Sequence, residues 1–237
     1  MSSYTLPALD SRLALIASMV PQGTVVADIG TDHGFLPVYL VKQGRCSRAY
    51  ACDINEKPLD KAKFLISRHG VSDKIEARLT NGLSGLEETD VDTVIIAGMG
   101  GELIATILEN GKTLVRKSGV TLLLQPMTRP ETLREYLAKN GFEITEEHGV
   151  KSGKFIYSVI KCVYTGIPQP QTLFHNYVGG LGKSDRTESA DYLKRTLDII
   201  KKKTAGLEMS SKESEREQLP AHRQLIEQLE QLIGGTK

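Results

Sequence analysis

Val26–Pro37 reads VADIGTDHGFLP. It joins a short β-branched run, Thr24–Ile29 (TVVADI), to a helix-like run, Leu36–Gln43, through a turn that holds Gly30 and Gly34. A strand that feeds a helix through a glycine turn places a helix N-terminus at the carboxyl edge of a sheet, where open α/β folds receive nucleotide-like ligands. Gly30 and Gly34 let backbone come close to such a ligand. The turn does not carry the dinucleotide fingerprint G-x-G-x-x-G, because Asp32 and His33 stand in its middle. A carboxylate there repels a pyrophosphate and attracts a cation or an amino group, and Asp28 adds a second negative charge just before the turn.

Outward from this turn, strand and helix periods alternate. Arg48–Ile54 (RAYACDI) reads as a second strand, followed by a helix over Glu56–His69 with Asn55 as its cap and Pro58 in its first turn. Lys74–Leu79, Val91–Ala97 and Val120–Leu124 read as further strands. Gly101–Leu108 and Glu131–Lys139 read as helices, the second opened by Pro130 and ended by Gly141. This order predicts a parallel sheet covered on both faces. Phe142–Glu147 and Lys154–Tyr164 then alternate in the strand period with only the Gly149–Gly153 turn region between them. That spacing closes a hairpin, not a crossover, so the expected fold is an α/β sheet, mainly parallel, with an antiparallel hairpin at its edge.

Thr165–Gln171 (TGIPQPQ) has no apolar period and reads as a linker. Beyond it Leu193, Leu197, Ile200 and Leu207 fall at near-heptad spacing, as do His222, Ile226, Leu229 and Ile233, with polar Ser210–Ser214 as the turn between. Two such stripes predict an antiparallel, coiled-coil-like helix pair. The expected division is residues 1–165 as a catalytic, cofactor-binding domain and residues 166–237 as linker and helical domain.

Composition narrows the classes. The chain has 237 residues, 40% of them hydrophobic, and its 30 Lys+Arg nearly cancel 29 Asp+Glu. That excludes a disordered chain and a generic basic nucleic-acid arm, though not a local basic face. Cys46, Cys52 and Cys162 make no disulfide framework and no metal-ligand spacing, so no metal is expected. No apolar run is long enough to span a bilayer and no signal peptide is evident; the expected compartment is the cytoplasm, without a membrane partner.

The site residues follow from the strand ends. Asp53 closes the second strand about twenty residues after Gly34, the place from which a carboxylate accepts both ribose hydroxyls. Ile54 follows it. Asn81–Gly82, after the third strand, has the chemistry to meet an adenine ring. A nucleoside without phosphates, bearing a positive centre and an amino group, fits this set, and S-adenosylmethionine is such a ligand. The fourth strand runs into Ala97–Gly98–Met99–Gly100–Gly101, where small residues admit a flat base close to a methyl group. It lacks the Asp/Asn-Pro-Pro-aromatic run that grips an exocyclic amine. A ring nitrogen such as adenine N1 has an in-plane lone pair and can attack directly once placed in line. Gln125, after the fifth strand, can hydrogen-bond a base edge. His33 is expected to shape its loop, while Asp32 faces either substrate or cofactor.

TDHGFLP at Thr31–Pro37, IAGMGG at Ile96–Gly101 and LLQPMTRPE at Leu123–Glu131 resemble the bacterial tRNA (adenine(22)-N1)-methyltransferases. LDSRL around Arg12–Leu13, NGL at Asn81–Leu83 and GKF at Gly153–Phe155 are similar as well. The resemblance implies a Rossmann-like class I methyltransferase sheet, S-adenosylmethionine as donor, tRNA as partner and a C-terminal coiled-coil domain. It carries the cofactor role onto Asp28, Gly30, Thr31, His33, Asp53 and Asn81, and makes Asp32, Arg12 and Gln125 the candidates near the target base; Gly34, Ile54, Gly82, Ala97 and Gly98 complete the expected cofactor-binding set.

Lys194, Arg195, Lys201, Lys202 and Lys203 form the most basic stretch and are the expected phosphate contacts. Phe174, His175 and Tyr177 could stack a splayed base, though their position after the linker favours packing between the two units. A monomer acting on N1 of adenine at tRNA position 22 is the leading expectation. A methyltransferase for a small metabolite is disfavoured by the basic tail, and a catalytically inactive RNA-binding module by the retention of Asp28, Gly30 and Asp53.

Overall fold

The computed structural model describes residues 5–235; residues 1–4 and 236–237, at the outer ends of the two expected units, lie outside it. The first element is a helix, α1 (Ser11–Met19), that the periodicity did not announce. Asp10 starts it, its carboxylate accepting the amides of Arg12 at 2.9 Å and Leu13 at 3.0 Å. There follow β1 (Thr24–Ile29), α2 (Phe35–Lys42), β2 (Cys46–Asp53), α3 (Glu56–Arg68), β3 (Ile75–Leu79) and β4 (Thr93–Gly100). Then come α4 (Gly101–Asn110), the short α5 (Lys112–Val115), β5 (Thr121–Thr128), α6 (Pro130–Lys139), β6 (Phe142–Ser152) and β7 (Phe155–Tyr164).

The seven strands form one sheet in the order β3-β2-β1-β4-β5-β7-β6. The pairs from β3 to β5 are parallel, and β7 is antiparallel to both β5 and β6. The chain steps outward from β1 to β3, then crosses back to β4 on the other side of β1. The crevice at the carboxyl ends of β1 and β4 is therefore the topological switch point. Alternate residues feed two cores: Ile95 and Leu123 join Ile16, Leu40 and Ile66 under α1, α2 and α3. Their neighbours Ile96, Leu122 and Leu124 join Ile104, Leu133 and Phe142 under α4 and α6.

The ladder extends further than the periodicity indicates. β4 and β5 stay paired to Gly100 and Thr128, with a register shift between Ala97 and Met99. Gly98 at that irregularity has φ +79°, a conformation a β-branched residue would resist. The region Gly149–Gly153, expected as turn, is mostly strand: Gly149 pairs with Ser158, and only Gly153 and Lys154 reverse the chain. Asn55 does occupy the N-cap of α3, but its side chain makes no capping bond; its amide instead donates to Asp53 Oδ1 at 2.8 Å.

After the linker come α7 (Leu173–Val178), a 3₁₀ turn (Leu181–Lys183), α8 (Thr187–Glu208), α9 (Glu213–Arg216) and α10 (Leu219–Gly234). The connection expected as a plain turn over Ser210–Ser214 thus contains the start of α9. Lys201 pairs with Glu230 at 2.6 Å and Glu208 with Arg223 at 2.7 Å, so α8 and α10 run antiparallel. Leu193, Ile200, Leu225 and Leu229 are buried between them, with Val178 and Leu181 beneath. Phe174 and Tyr177 pack on this cluster, which lies within the helical part and not between the two units as expected for them.

The helical part is anchored on the β6 edge by buried polar contacts. Arg134 of α6 and Glu147 of β6 form an ion pair at 2.6 Å, with side chains 2% and 0% exposed. Arg134 Nη1 also donates to the carbonyl of Asn176 at 3.0 Å, and the amide of Gly180 donates to Glu147 Oε2 at 2.9 Å. Burial alone would lower the pKa of Arg134, but the carboxylate of Glu147 outweighs it and raises it. A second weld lies at Gly149, whose amide donates to Ser189 Oγ at 2.7 Å. A Cβ at Gly149 would sit 2.5 Å from the carbonyl oxygen of Glu188, so α8 can approach only a glycine here.

Candidate active site

One wall of the switch-point crevice is acidic. The amides of Gly30 and Thr31 both donate to the carbonyl of Cys52 at 2.8 Å, which pins the β1 turn against the end of β2. Gly30, His33 and Gly34 all have positive φ, and His33 at +63° is strained for a non-glycine residue. Asp28 is buried, and burial pushes its carboxyl from 3.8 up to about 6. The nearby Thr31 hydroxyl holds it down in part, while the charge of Asp53 raises it further. Thr31 Oγ1 is itself buried without a hydrogen bond of good geometry. Two electrostatically coupled carboxylates at the ends of β1 and β2 suit a ligand that brings positive charge and hydrogen-bonding groups.

The floor beside Asp53 is apolar at the surface. Ile54 is 61% exposed and Leu79, at the end of β3, 53% exposed. Leu79 was not foreseen as a site residue; its signal was an apolar side chain on the last strand position before Asn81–Gly82. Asn81 is exposed, and Gly82 sits at φ +60° against Ile107. This combination of carboxylate, apolar floor and amide fits the ribose and adenine of S-adenosylmethionine.

The opposite wall is a hydrogen-bonded lip across β4, β5 and α1. Gln125 is completely buried, and its Oε1 accepts from Arg12 Nη1 at 2.8 Å and from the amide of Gly98 at 3.1 Å. Its Nε2 donates to the carbonyl of Pro126 at 3.0 Å. Arg12 Nη1 also lies 3.2 Å from Met127 Sδ, and Nη2 meets Asp10 Oδ2 at 2.6 Å. Burial pushes the Asp10 carboxyl up, but the Leu13 amide and the Arg12 guanidinium outweigh it and hold it below its usual value. Asp10 therefore matters to the site in a way the periodicity missed; the available signal was Asp before Ser11–Arg12–Leu13, a helix-capping position. Met99 spans the crevice, its methyl lying 2.3 Å from where a Cβ on Gly30 would stand. A Cβ on Gly101 would meet the carbonyl oxygen of Arg129 at the same 2.3 Å, so the glycine run also serves packing.

The structure separates the three residues expected near the target base. Arg12 and Gln125 touch each other. Asp32 is 81% exposed on its side chain and contacts His33 at 3.1 Å, whose ring nitrogen also meets Lys61 Nζ at 3.1 Å. His33 thereby links the turn to α3, and the contact of Asp32 lies with His33, not with Arg12 or Gln125. Ala97 and Gly98 lie on the lip side, and Gly34 packs against Ala62 of α3. On α8, Lys201 is engaged by Glu230 and Lys194 lies 3.5 Å from Asp191, while Arg195, Lys202 and Lys203 are exposed. The three cysteines are buried, and burial pushes Cys46 and Cys52 up to about 12, so they remain thiols.

Strand order and crevice together define a methyltransferase domain, and residues 9–160 match the family model described as a methyltransferase domain. Over 152 residues the chain is 36% identical to the tRNA (adenine(22)-N(1))-methyltransferase of Bacillus subtilis, an alignment covering 64% of this chain and 63% of that protein. The sequence match thus spans less than two thirds of that relative. The crystal structure of the B. subtilis m1A22 tRNA methyltransferase TrmK superposes with a TM-score of 0.82 at 29% identity, covering 96% of this chain and 99% of that one. A Streptococcus pneumoniae chain solved in complex with S-adenosyl-L-methionine gives 0.76 at 32% identity, covering 91% and 98%. The chain belongs to the bacterial tRNA (adenine(22)-N1)-methyltransferase family. No helix among the described residues is long and apolar enough to cross a membrane.

Proposed function

We propose that this protein transfers a methyl group from S-adenosylmethionine to N1 of the adenine at position 22 of tRNA, by direct in-line attack of the ring nitrogen. The observation that carries the reading is the two-sided crevice: paired carboxylates on the β1–β2 side and the Arg12–Gln125–Gly98 lip on the β4–β5 side. Asp53 would hold the ribose hydroxyls and Ile54 and Leu79 the adenine face, with Asn81 at its edge. Asp28 and the Gly30–Thr31 turn would face the cationic end. When bound, S-adenosylmethionine supplies an electrophilic methyl on a sulfonium centre.

Adenine N1 carries an available lone pair at neutral pH, so no side chain need remove a proton before attack. The methyl passes to N1, the base becomes cationic and the donor is left as a neutral thioether. The work of the lip is positional: buried Gln125 would hold Arg12 and the Gly98 amide in place, and the partly exposed Arg12 would meet the base. Asp32 and His33 would shape the rim. Residues 1–165 would carry the chemistry and residues 166–237 would hold tRNA through Lys194, Arg195, Lys202 and Lys203, with Lys201 shared with Glu230. The reading places a monomer in the cytoplasm.

Incubating purified protein with S-adenosylmethionine and unmodified tRNA carrying adenine at position 22, then mapping methylated nucleosides by mass spectrometry, tests it. One 1-methyladenosine at position 22 is expected. Transfer to a small molecule but not to tRNA overturns it.

A further inference from the structure

A row of two aromatic side chains flanked by two arginines leads out of the lip. The guanidinium carbon of Arg12 lies 5.7 Å from the ring centre of Tyr157. The rings of Tyr157 and Phe155 are 6.2 Å apart at 50°, and the guanidinium carbon of Arg195 on α8 lies 5.9 Å from the centre of Phe155. Along this face of β7, burial falls steadily toward the hairpin tip: Val159 is 0% exposed, Tyr157 is intermediate and Phe155 is 52% exposed. Tyr157 still packs against the core that holds Val159, but Phe155 does not, so core packing does not require an aromatic at Phe155. The antiparallel β5–β7 register, which pairs Leu124 with Ile160, carries β7 residues of lower number beyond the carboxyl end of β5. The hairpin tip, with exposed Lys154, therefore stands beside the mouth of the crevice and against the middle of α8.

We propose that this row is the seat of the RNA strand flanking the target adenosine, its nucleotides stacking on Phe155 and Tyr157 and its phosphates meeting Arg195 and Lys154. The proposal rests on tRNA being the substrate. Aromatic faces flanked by arginines take unpaired bases of any identity, and positive charge beside them suits a polyanionic strand rather than an apolar partner. The row also gives the Gly153–Phe155 segment a task, since its two-residue turn is what lifts Phe155 to the mouth.

The test measures tRNA affinity against salt, together with S-adenosylmethionine affinity and thermal unfolding, for wild type, Phe155→Ala, Phe155→Leu, Phe155→Tyr and Arg195→Gln. Loss of the ring in the Ala and Leu variants should weaken tRNA binding about 5-fold or more with the salt slope unchanged, and Phe155→Tyr should retain it. Arg195→Gln should weaken binding and reduce the salt slope by about one. A 2-aminopurine placed next to the target adenosine should be quenched by wild type and not by Phe155→Leu. If wild type methylates tRNA while these variants bind it unchanged, or if Leu serves as well as Tyr, the row is not the strand's path. If wild type methylates no tRNA, the substrate reading fails first, and the two failures are distinct. Phe155→Leu keeps apolar volume, so a fold lost only in Phe155→Ala leaves the comparison intact.

Discussion

Arg12 and Gln125 are 113 residues apart and hydrogen-bonded at 2.8 Å, and the same Gln125 oxygen accepts the amide of Gly98 at 3.1 Å. One buried side chain thereby ties the N-terminal helix to the carboxyl ends of β4 and β5. Gln125→Ala leaves a guanidinium N–H and a backbone N–H without their acceptor. Hydrogen bonds to charged groups contribute about 1.5–3 kcal/mol, so kcat should fall roughly 10- to 100-fold with little change in cofactor affinity. Single-turnover kinetics and calorimetry separate the two, and an unchanged kcat removes Gln125 from base positioning.

Asp53 has its Oδ1 occupied by the Asn55 amide, which fixes the carboxylate at the end of β2. Asp53→Ala should weaken S-adenosylmethionine binding by about 1.5–3 kcal/mol. Calorimetry checks this, and an unaltered Kd would take Asp53 off the ribose.

Asp28 predicts a pH dependence whose sign is fixed by burial. With its pKa raised to about 6, the site loses a negative charge as pH falls through that value, and cofactor affinity should drop below pH 6. For folding the direction is opposite. An acid whose folded pKa lies above its unfolded value favours the native state fully below 3.8 and loses that contribution as pH rises through about 6. Asp28→Asn should therefore stabilise the free protein at pH 8 by about 1–3 kcal/mol while weakening the cofactor. Denaturant unfolding at pH 5 and pH 8 reads the first effect, and a variant no more stable at pH 8 contradicts it.

The Arg134–Glu147 pair makes a prediction about the joint. Removing one partner leaves a buried charge uncompensated, at a cost of about 3–5 kcal/mol. Glu147→Ala should lower Tm and expose the linker over 165–171 to protease, because the Gly180 amide loses its acceptor and Arg134, which holds the carbonyl of Asn176, loses its counter-charge. Replacing both, Arg134→Met with Glu147→Leu, should recover much of the loss. Equal protease resistance in Glu147→Ala and wild type would show that the ion pair does not hold the helical part.

Much of the α/β order was legible because each segment carries its own period: Thr24–Ile29 and Arg48–Ile54 alternate as strands, and Glu131–Lys139 is punctuated by Pro130 and Gly141. The acidic wall was legible too, since Asp28 and Asp53 sit at strand ends that local pattern locates. Boundaries at Gly98–Gly100 and Gly149–Ser152 were not. Glycine announces a turn locally, yet here it is kept in the ladder by strands paired from far along the chain. α1 escaped notice because its beginning rests on a single cap, Asp10, and its function on a partner in β5.

The sequence by itself determined the strand-turn-helix at Val26–Pro37, the charges gathered there and the apolar stripes of the tail, because these depend on neighbours within a few residues. Only the tertiary structure decided that Arg12 belongs with Gln125. It alone seated α8 on Gly149 and lined up Arg12, Tyr157, Phe155 and Arg195. Arg12 with Gln125, Arg12 with Tyr157, Phe155 with Arg195 and Gly149 with Ser189 join residues separated by tens to more than a hundred positions. They exist only once sheet register and helix packing have fixed which side chains share a surface.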